Sequence, residues 1–293
     1  MQITPNNAGL GARVTGVDLG QALPAEGFRT LLRALGAHGV LCFPGQDLDA
    51  PQLAGFARLF GELEVNVANL FHAPGLPEIM ILSNLRDAAG KPVGLSDAGQ
   101  GWHTDMSYSH DIALANVLHA KQVPEKHGRP LGATQFRNMH AAYADLPAEV
   151  VERLEGRVAV HDFGKFWEVM RHRPGSTRKQ LTPEQRAKKP PVPQPIFRTH
   201  PITGRRVLYC NPGYAMHIEG LDAAESTAML EFLFLHQAQP KYLYSHAWTP
   251  GDVLMWDNIG TVHNACADYG EDTPRFILRA QVMASGDYAA LAA

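Results

Sequence analysis

The chain has 293 residues, 45% of them hydrophobic, and a formal net charge of −3. That is enough apolar material for one large core or two modest ones, and the balance of charge offers no basic footprint for nucleic acid or an acidic membrane surface. No run approaches the roughly 18 apolar residues of a membrane span, the opening MQITPNNAGLGARVTG lacks the layout of a signal peptide, and Cys42, Cys210 and Cys266 form no regular framework, so a cytoplasmic protein with small buried thiols is expected.

FRTLLRALGAHG (28–39) carries apolar residues at helical spacing, and GVLCFPG after it reads as a buried strand. DAPQLAGFARLFGEL (49–63) predicts a helix with an acidic cap at Asp49, Pro51 in its first turn and Gly61 at its end. DLPAEVVERLEG (145–156) predicts a capped helix with a glycine stop. DAAESTAMLEFLFLHQ (222–237) predicts a longer one, capped by Asp222, with Leu230, Leu233 and Phe234 on one face. Strands are predicted at IMILSNL, ALANVLHA, GRVAVHDF, PIFRTH, RVLYCN, KYLYSHAW, DVLMWDN, TVHNACA and RFILRAQVM. Many short strands with few helices predict a mainly β fold, a sandwich or barrel flanked by helices. No linker divides the chain, so residues 1–293 read as a single domain. One insertion, at about 165–195, stands apart. Its segment RHRPGSTRKQLTPEQRAKKPPVPQP (171–195) is basic, proline-rich and poor in core residues. It reads as a solvated surface loop, which is compatible with a lid over a site.

The chemistry gathers at GWHTDMSY (101–108). On a strand or strand edge, His103 and Asp105 point to one face while Trp102 and Thr104 take the other. A two-histidine, one-carboxylate face needs one more His, and it leaves the opposite face of an octahedral metal open. His263, far downstream in WDNIGTVHNACADYG, is the candidate. Beyond it, Arg275, Ile277 and Arg279 share a strand face. Two arginines on an apolar strand are costly unless they meet anions, and guanidinium matches a carboxylate bidentately. Rival readings stand beside these. His217 and Glu219 share the ligand spacing but have no paired arginine after them. His161 and Asp162 are adjacent and diverge on a strand. His119, His200 and His246 read as ordinary hydrogen-bonded histidines, and Trp102 and Trp256 as packing. Asp257 and Asn258 read as supporting or turn residues, Arg279 is open to an ion pair with Asp268 or Asp257, and Thr134 to a plain strand threonine.

HTD, followed downstream by WDNIGTVHNA and then RFILR, resembles the taurine dioxygenase-like family of Fe(II)/2-oxoglutarate-dependent oxygenases. GARVTGVDL, LFGELE, FRTHPITGRRVLYCN and LEFLFLH resemble family segments in the same order, over nearly the whole chain. The resemblance implies a double-stranded β-helix, the cupin-like jelly roll, forming one oxygenase domain. It implies Fe(II) on His103, Asp105 and His263, 2-oxoglutarate held at its distal carboxylate by Arg275 and Thr134, and O2 as oxidant. It implies hydroxylation of a C–H in a small acid, carboxylate or sulfonate, with release of succinate and CO2. Arg279, Asn66, Tyr214 and Met106 fall at the substrate. The alternatives are desaturation, cyclisation or epoxidation in a biosynthetic pathway with the same cofactors, or a non-redox metal-binding jelly roll, which has no need of Arg275. The sequence departs from taurine hydroxylases at Asn66, where they carry His, and at Gly99, where they carry Asn. Relatives form dimers or tetramers, so a homo-oligomer is expected, with no nucleic-acid or membrane partner.

Overall fold

The strand Val253–Asp257 is buried at every position, where a strand with one wet face would alternate. Leu254 and Trp256 turn into a cluster with Val40, Cys42, Leu118, Phe136 and Trp248. Val253 and Met255 turn the other way, against Leu31, Leu35, Leu53 and Phe56 from two helices, Ala25–His38 and Ala50–Arg58. Burial on both faces thus follows from a sheet packed between helices and a second sheet. The computed structural model from which this is read describes residues 1–7, 9–65, 71–173, 176 and 178–292.

The main sheet has eight strands in the order Gln2–Pro5, Ala12–Thr15, Val40–Phe43, Val253–Asp257, Ala113–Gln122, Phe276–Met283, Leu76–Ser83 and His72–Ala73. Its neighbours pair antiparallel except Ala12–Thr15 with Val40–Phe43, which are parallel. Facing it is a three-stranded sheet of Leu243–His246, Thr134–Asn138 and Thr261–Ala265. Phe136 of this second wall meets Trp256 of the first edge-on, with centroids 5.4 Å apart. Two antiparallel sheets closed over one apolar interior match the expected jelly roll. A smaller sheet of Val192–Pro195, Val158–His161 and Ala215–Ile218 extends it to one side.

The helix expectations are met at two starts and missed at a third. Asp49 and Gln52 form a reciprocal capping box, each side chain taking the other's backbone N–H at 2.8 Å. Asp222 accepts from the Glu225 N–H at 2.8 Å. Helix Ala148–Leu154, however, begins at Pro147 with no side-chain cap. Asp145 instead closes a short helix that the sequence reading passed over, Met139–Ala144, and accepts from Lys241 and the Tyr242 hydroxyl.

The insertion is more structured than a solvated loop. It carries helices Phe163–Arg171 and Pro183–Ala187, and its Val192–Pro195 pairs with Val158–His161. Met170, Leu181 and Val192 turn inside and are buried, while Val169 stays exposed. Among the described residues no helix is long and apolar enough to cross a membrane. Cys42 and Cys210 are buried, and burial pushes both thiols up to about 12, which fits the expected small buried thiols.

Two histidines are enclosed in neutral form. Burial pulls His140 down to about 4 and His161 down to about 3. In the unfolded chain both titrate near 6.5. Below that pH the unfolded state binds protons that the native state does not, so stability falls as pH falls, by roughly 2 kcal/mol per histidine at about pH 5. Melting temperature followed from about pH 7.5 to about pH 5 is expected to drop, with a shallower slope in His161→Phe. A melt that does not change over this range would contradict neutral burial of both rings.

Candidate metal centre

His103 and His263 face each other as a hydrogen-bonded antiparallel pair. His103 N–H donates to the His263 carbonyl at 3.0 Å, and His263 N–H to the His103 carbonyl at 2.9 Å. Next to this pair the Ala265 N–H donates to the Gly99 carbonyl at 2.9 Å. The HTD segment is therefore a short strand edge stitched onto Thr261–Ala265. It is strand-like only at His103; residues 105–108 form a turn, with Met106 in the left-handed region at φ 58°. The same-face argument for His103 and Asp105 gives the right convergence through a bridge followed by a turn, rather than through an extended strand.

Gly213 lies behind His103. A Cβ there would sit 2.8 Å from the His103 Cβ and 3.0 Å from the Trp102 carbonyl, so only glycine lets the NPGY segment approach. Gly99, where the taurine pattern has Asn, has φ +74°, a conformation that glycine adopts without strain.

The side chains converge. His103 Nδ1 donates to the Gly101 carbonyl at 2.7 Å, which leaves its Nε2 as a lone pair. That Nε2 is 3.4 Å from Asp105 Oδ1, and His263 Nε2 is 3.6 Å from Asp105 Oδ2. One donor atom from each of the three lies within 4.8 Å of the others. Ligands about 2.1 Å from one octahedral ion sit roughly 3 Å apart, so the set is slightly open for a divalent cation and of the right chemistry. Burial and the neighbouring His103 and Arg279 hold His263 well below its usual range, in the neutral form a ligand needs. Burial opposes ionisation of Asp105, yet the Arg279 guanidinium holds its carboxyl far below the usual range.

Arg279 donates to Asp105 Oδ2 at 2.8 Å and to Asn116 Oδ1 from Nε and Nη2, at 3.1 and 2.8 Å. Its ion-pair partner is thus Asp105, not Asp268 or Asp257. Asp268 accepts from the Gly132 N–H, and Asp257 faces His200 at 3.0 Å. Arg275 lies just before strand Phe276–Met283, with a register shift between Phe276 and Ile277. It is 5% exposed, its Nε has no hydrogen-bond partner among the described residues, and its guanidinium lies over the Tyr269 ring at 5.4 Å. Burial lowers its pKa, against a smaller opposing effect of Tyr269, and among the described residues no carboxylate pairs with it. Thr134, buried at the start of its strand, accepts from Trp248 Nε1 at 3.0 Å, which leaves its own hydroxyl hydrogen to donate.

An aromatic wall closes one side. Phe166 lies 5.0 Å and Tyr214 6.2 Å from the His103 ring, and Tyr108 packs on Tyr214 at 4.8 Å. Met106 is buried and accepts from the Tyr108 hydroxyl through Sδ. Asn66 lies outside the described residues. His217 and Glu219 are exposed, and neither His217–Glu219 nor His161–Asp162 joins a three-donor cluster among the described residues. A surface cavity of about 580 Å³ between Glu62, Arg198 and Tyr288 shares no lining residue with the triad.

The sequence reading underrated the asparagines. Asn258 clamps Asp105, donating to its carbonyl at 2.8 Å and accepting from its N–H at 3.2 Å. Asn264 accepts from the Gly101 N–H at 2.7 Å. Both lie in the WDNIGTVHNA segment that carries His263, so the motif holds its own ligand and fixes the other two. Spacing alone does not reveal this.

A sequence model of the taurine catabolism dioxygenase TauD, TfdA family matches residues 2–281. Pentalenolactone F synthase of Streptomyces avermitilis is 34% identical over 276 residues, covering 90% of this chain and 88% of that protein. The alpha-ketoglutarate-dependent 2,4-dichlorophenoxyacetate dioxygenase of Burkholderia sp. strain RASC is 35% identical over 253 residues, covering 83% and 81%. The crystal structure of AAD-2 in complex with Mn(II) and N-oxalylglycine matches with TM-score 0.79 at 28% identity, over 97% of this chain and 98% of that one. With jelly roll, converging triad and family match in agreement, the chain belongs to the taurine catabolism dioxygenase TauD, TfdA family, the Fe(II)- and 2-oxoglutarate-dependent dioxygenases.

Proposed function

We propose that His103, Asp105 and His263 hold Fe(II), that Arg275 and Thr134 hold the distal carboxylate of 2-oxoglutarate, and that the substrate is a small organic carboxylate or sulfonate hydroxylated at a C–H. The observation that carries this reading is the buried, anion-less Arg275 on the same chain segment as Arg279, which pairs with the triad's carboxylate. A non-redox metal protein has no use for that cation.

When bound, Fe(II) supplies the redox centre at which 2-oxoglutarate and O2 are consumed, with succinate and CO2 released and the substrate oxidised. The chain supplies geometry and charge. His103, His263 and Asp105 would hold the ion from one side, leaving its other side to the small molecules. Asn258 and Asn264 fix the backbone from which two of the ligands project. Arg275 gains the anion its burial demands only when the cosubstrate enters, so cosubstrate binding draws on a charge already desolvated.

Among the described residues, Nη1 of Arg279 makes one polar contact, to Met80 Sδ at 4.0 Å. It is the proposed grip for the substrate's anionic end. Tyr214 and Met106 would line the body of the substrate, with Tyr108 and Phe166 beside them. The relatives named for a sulfate ester and for phenoxyacetate support an anionic substrate. Pentalenolactone F synthase favours a second reading, in which the same site performs a biosynthetic desaturation, cyclisation or epoxidation.

Residues 1–293 are proposed as one oxygenase domain, with 165–195 as a lid. Arg178 makes two 2.9 Å bonds to Asp97, and Arg173 one to Gln100, so the insertion is tied to the loop that leads into His103. Phe232 and Leu235, exposed one turn apart on helix Ala223–Gln237, suit a contact in a homo-oligomer, dimer or tetramer, which sedimentation velocity would read directly. The free cysteines suit a reducing cytoplasm, where fractionation of cells producing the protein would place it.

Succinate release with Fe(II) and O2 across a panel of sulfonates, carboxylates, aryloxy acids and amino acids tests the function. At least one acid is expected to raise turnover well above the substrate-free rate, with oxidised product matching succinate. A panel of anions without effect, set against a neutral compound that couples tightly, would overturn the acid assignment. Replacing Arg275 with Met is expected to raise the KM for 2-oxoglutarate by about 30- to 1,000-fold, the loss of roughly 2–4 kcal/mol from a buried charge pair. The metal-free Arg275→Met protein should melt no lower than wild type, because the variant removes an uncompensated buried charge. A large loss of stability with KM unchanged would instead make Arg275 structural.

A further inference from the structure

A second cluster of metal-binding groups lies apart from the triad. Cys42 on Val40–Phe43, His246 at the end of Leu243–His246 and Asp252 just before Val253–Asp257 each offer one donor atom, all within 4.8 Å of one another. They are 8%, 7% and 4% exposed. Cys42 and Asp252 belong to the eight-stranded sheet and His246 to the facing three-stranded one, so the cluster spans the two walls of the sandwich.

His246 is the telling member. Its Nε2 is buried and lies 3.3 Å from Asp252 Oδ2, yet it has no hydrogen-bond partner among the described residues. Its Nδ1 lies 3.4 Å from the Tyr244 hydroxyl, which can accept the ring hydrogen and leave Nε2 as a lone pair. A buried lone pair beside a carboxylate oxygen, with no hydrogen bond joining them, suits a cation shared by the two. The Cys42 sulfur is the third donor at that point, and Asp252 is already fixed by the Thr249 N–H at 2.9 Å. One sulfur, one nitrogen and one oxygen form a Zn²⁺ set, with a fourth tetrahedral position left for water. A thiolate and a carboxylate neutralise such an ion, so no net charge is buried. The thiol proton leaves to solvent as the sulfur–metal bond forms.

A neighbouring trio shows the contrast. His140, His200 and Asp257 also come within 4.8 Å, but His200 Nδ1 accepts from the Ile202 and Thr203 N–H groups, both at 3.3 Å. The His200 hydrogen is therefore on Nε2, 3.0 Å from Asp257 Oδ2 though not hydrogen-bonded to it, so that nitrogen has no lone pair to give a metal.

We infer that Cys42, His246 and Asp252 form a second metal site, for a thiophilic divalent cation of the Zn²⁺ class, that clips the two sheets together independently of the catalytic centre.

Co²⁺ titration of chelator-treated protein is the test, because a thiolate on Co²⁺ gives an intense near-ultraviolet charge-transfer band and the thiol-free catalytic triad cannot. The band is expected in wild type and in His263→Ala, to vanish in Cys42→Ser, and to be displaced by Zn²⁺. No band in wild type at saturating Co²⁺, or a band that survives Cys42→Ser, overturns the site. Zinc-edge X-ray absorption on wild type needs no variant. One sulfur neighbour in Zn²⁺-loaded protein supports the clip, and a shell of nitrogen and oxygen alone rejects it.

Discussion

The two-bond backbone bridge between His103 and His263 is the constraint on which the centre depends. It joins segments far apart in the chain and sets both imidazoles on one side of a short antiparallel pair, with ring centroids 4.2 Å apart. Once that pair is made, the turn after His103 brings Asp105 beneath the rings, and Asn258 holds it there. The jelly roll serves the bridge in turn. Thr261–Ala265 pairs with Thr134–Asn138 along its whole length, and Phe136 between Trp256 and His263 keeps that wall at its spacing. Loss of packing at Phe136 would therefore reach His263 both through the paired strand and through the ring contact.

Charge is distributed to match. The triad contributes a single carboxylate, and Arg279 already balances it in the free protein. A divalent ion held by Asp105 would share that carboxylate with Arg279. Arg275 stands as a separate desolvated cation. On the proposed roles, a metal on the triad, a dicarboxylate at Arg275 and an acid at Arg279 would each meet a charge already in place.

Much of this was legible in the sequence because it rests on local chemistry. The buried strand GVLCFPG, the Asp49 and Asp222 caps and the strand set depend on residue type at short range, while HTD, His263 and Arg275 were joined by the family resemblance. What escaped depends on tertiary partners. Asp145 looks like a helix cap until Pro147 takes that place and Lys241 and Tyr242 claim the carboxylate. The insertion looks solvated because its apolar residues are few, and only the fold shows Met170, Leu181 and Val192 turned inward. Its TPEQ capping box, by contrast, was readable and passed over amid the prolines. The Arg279–Asp105 pair and the Asn258 clamp each join residues more than a hundred positions apart, beyond the reach of periodicity.

The central claim is that one triad and one buried arginine hold iron and 2-oxoglutarate together. The most direct measurement is anaerobic optical titration of the Fe(II)-loaded protein with 2-oxoglutarate. A visible metal-to-ligand charge-transfer band that saturates with the cosubstrate, and that is absent in Asp105→Ala, is the predicted result. A folded, iron-loaded wild-type protein that gives no such band at saturating 2-oxoglutarate would contradict it.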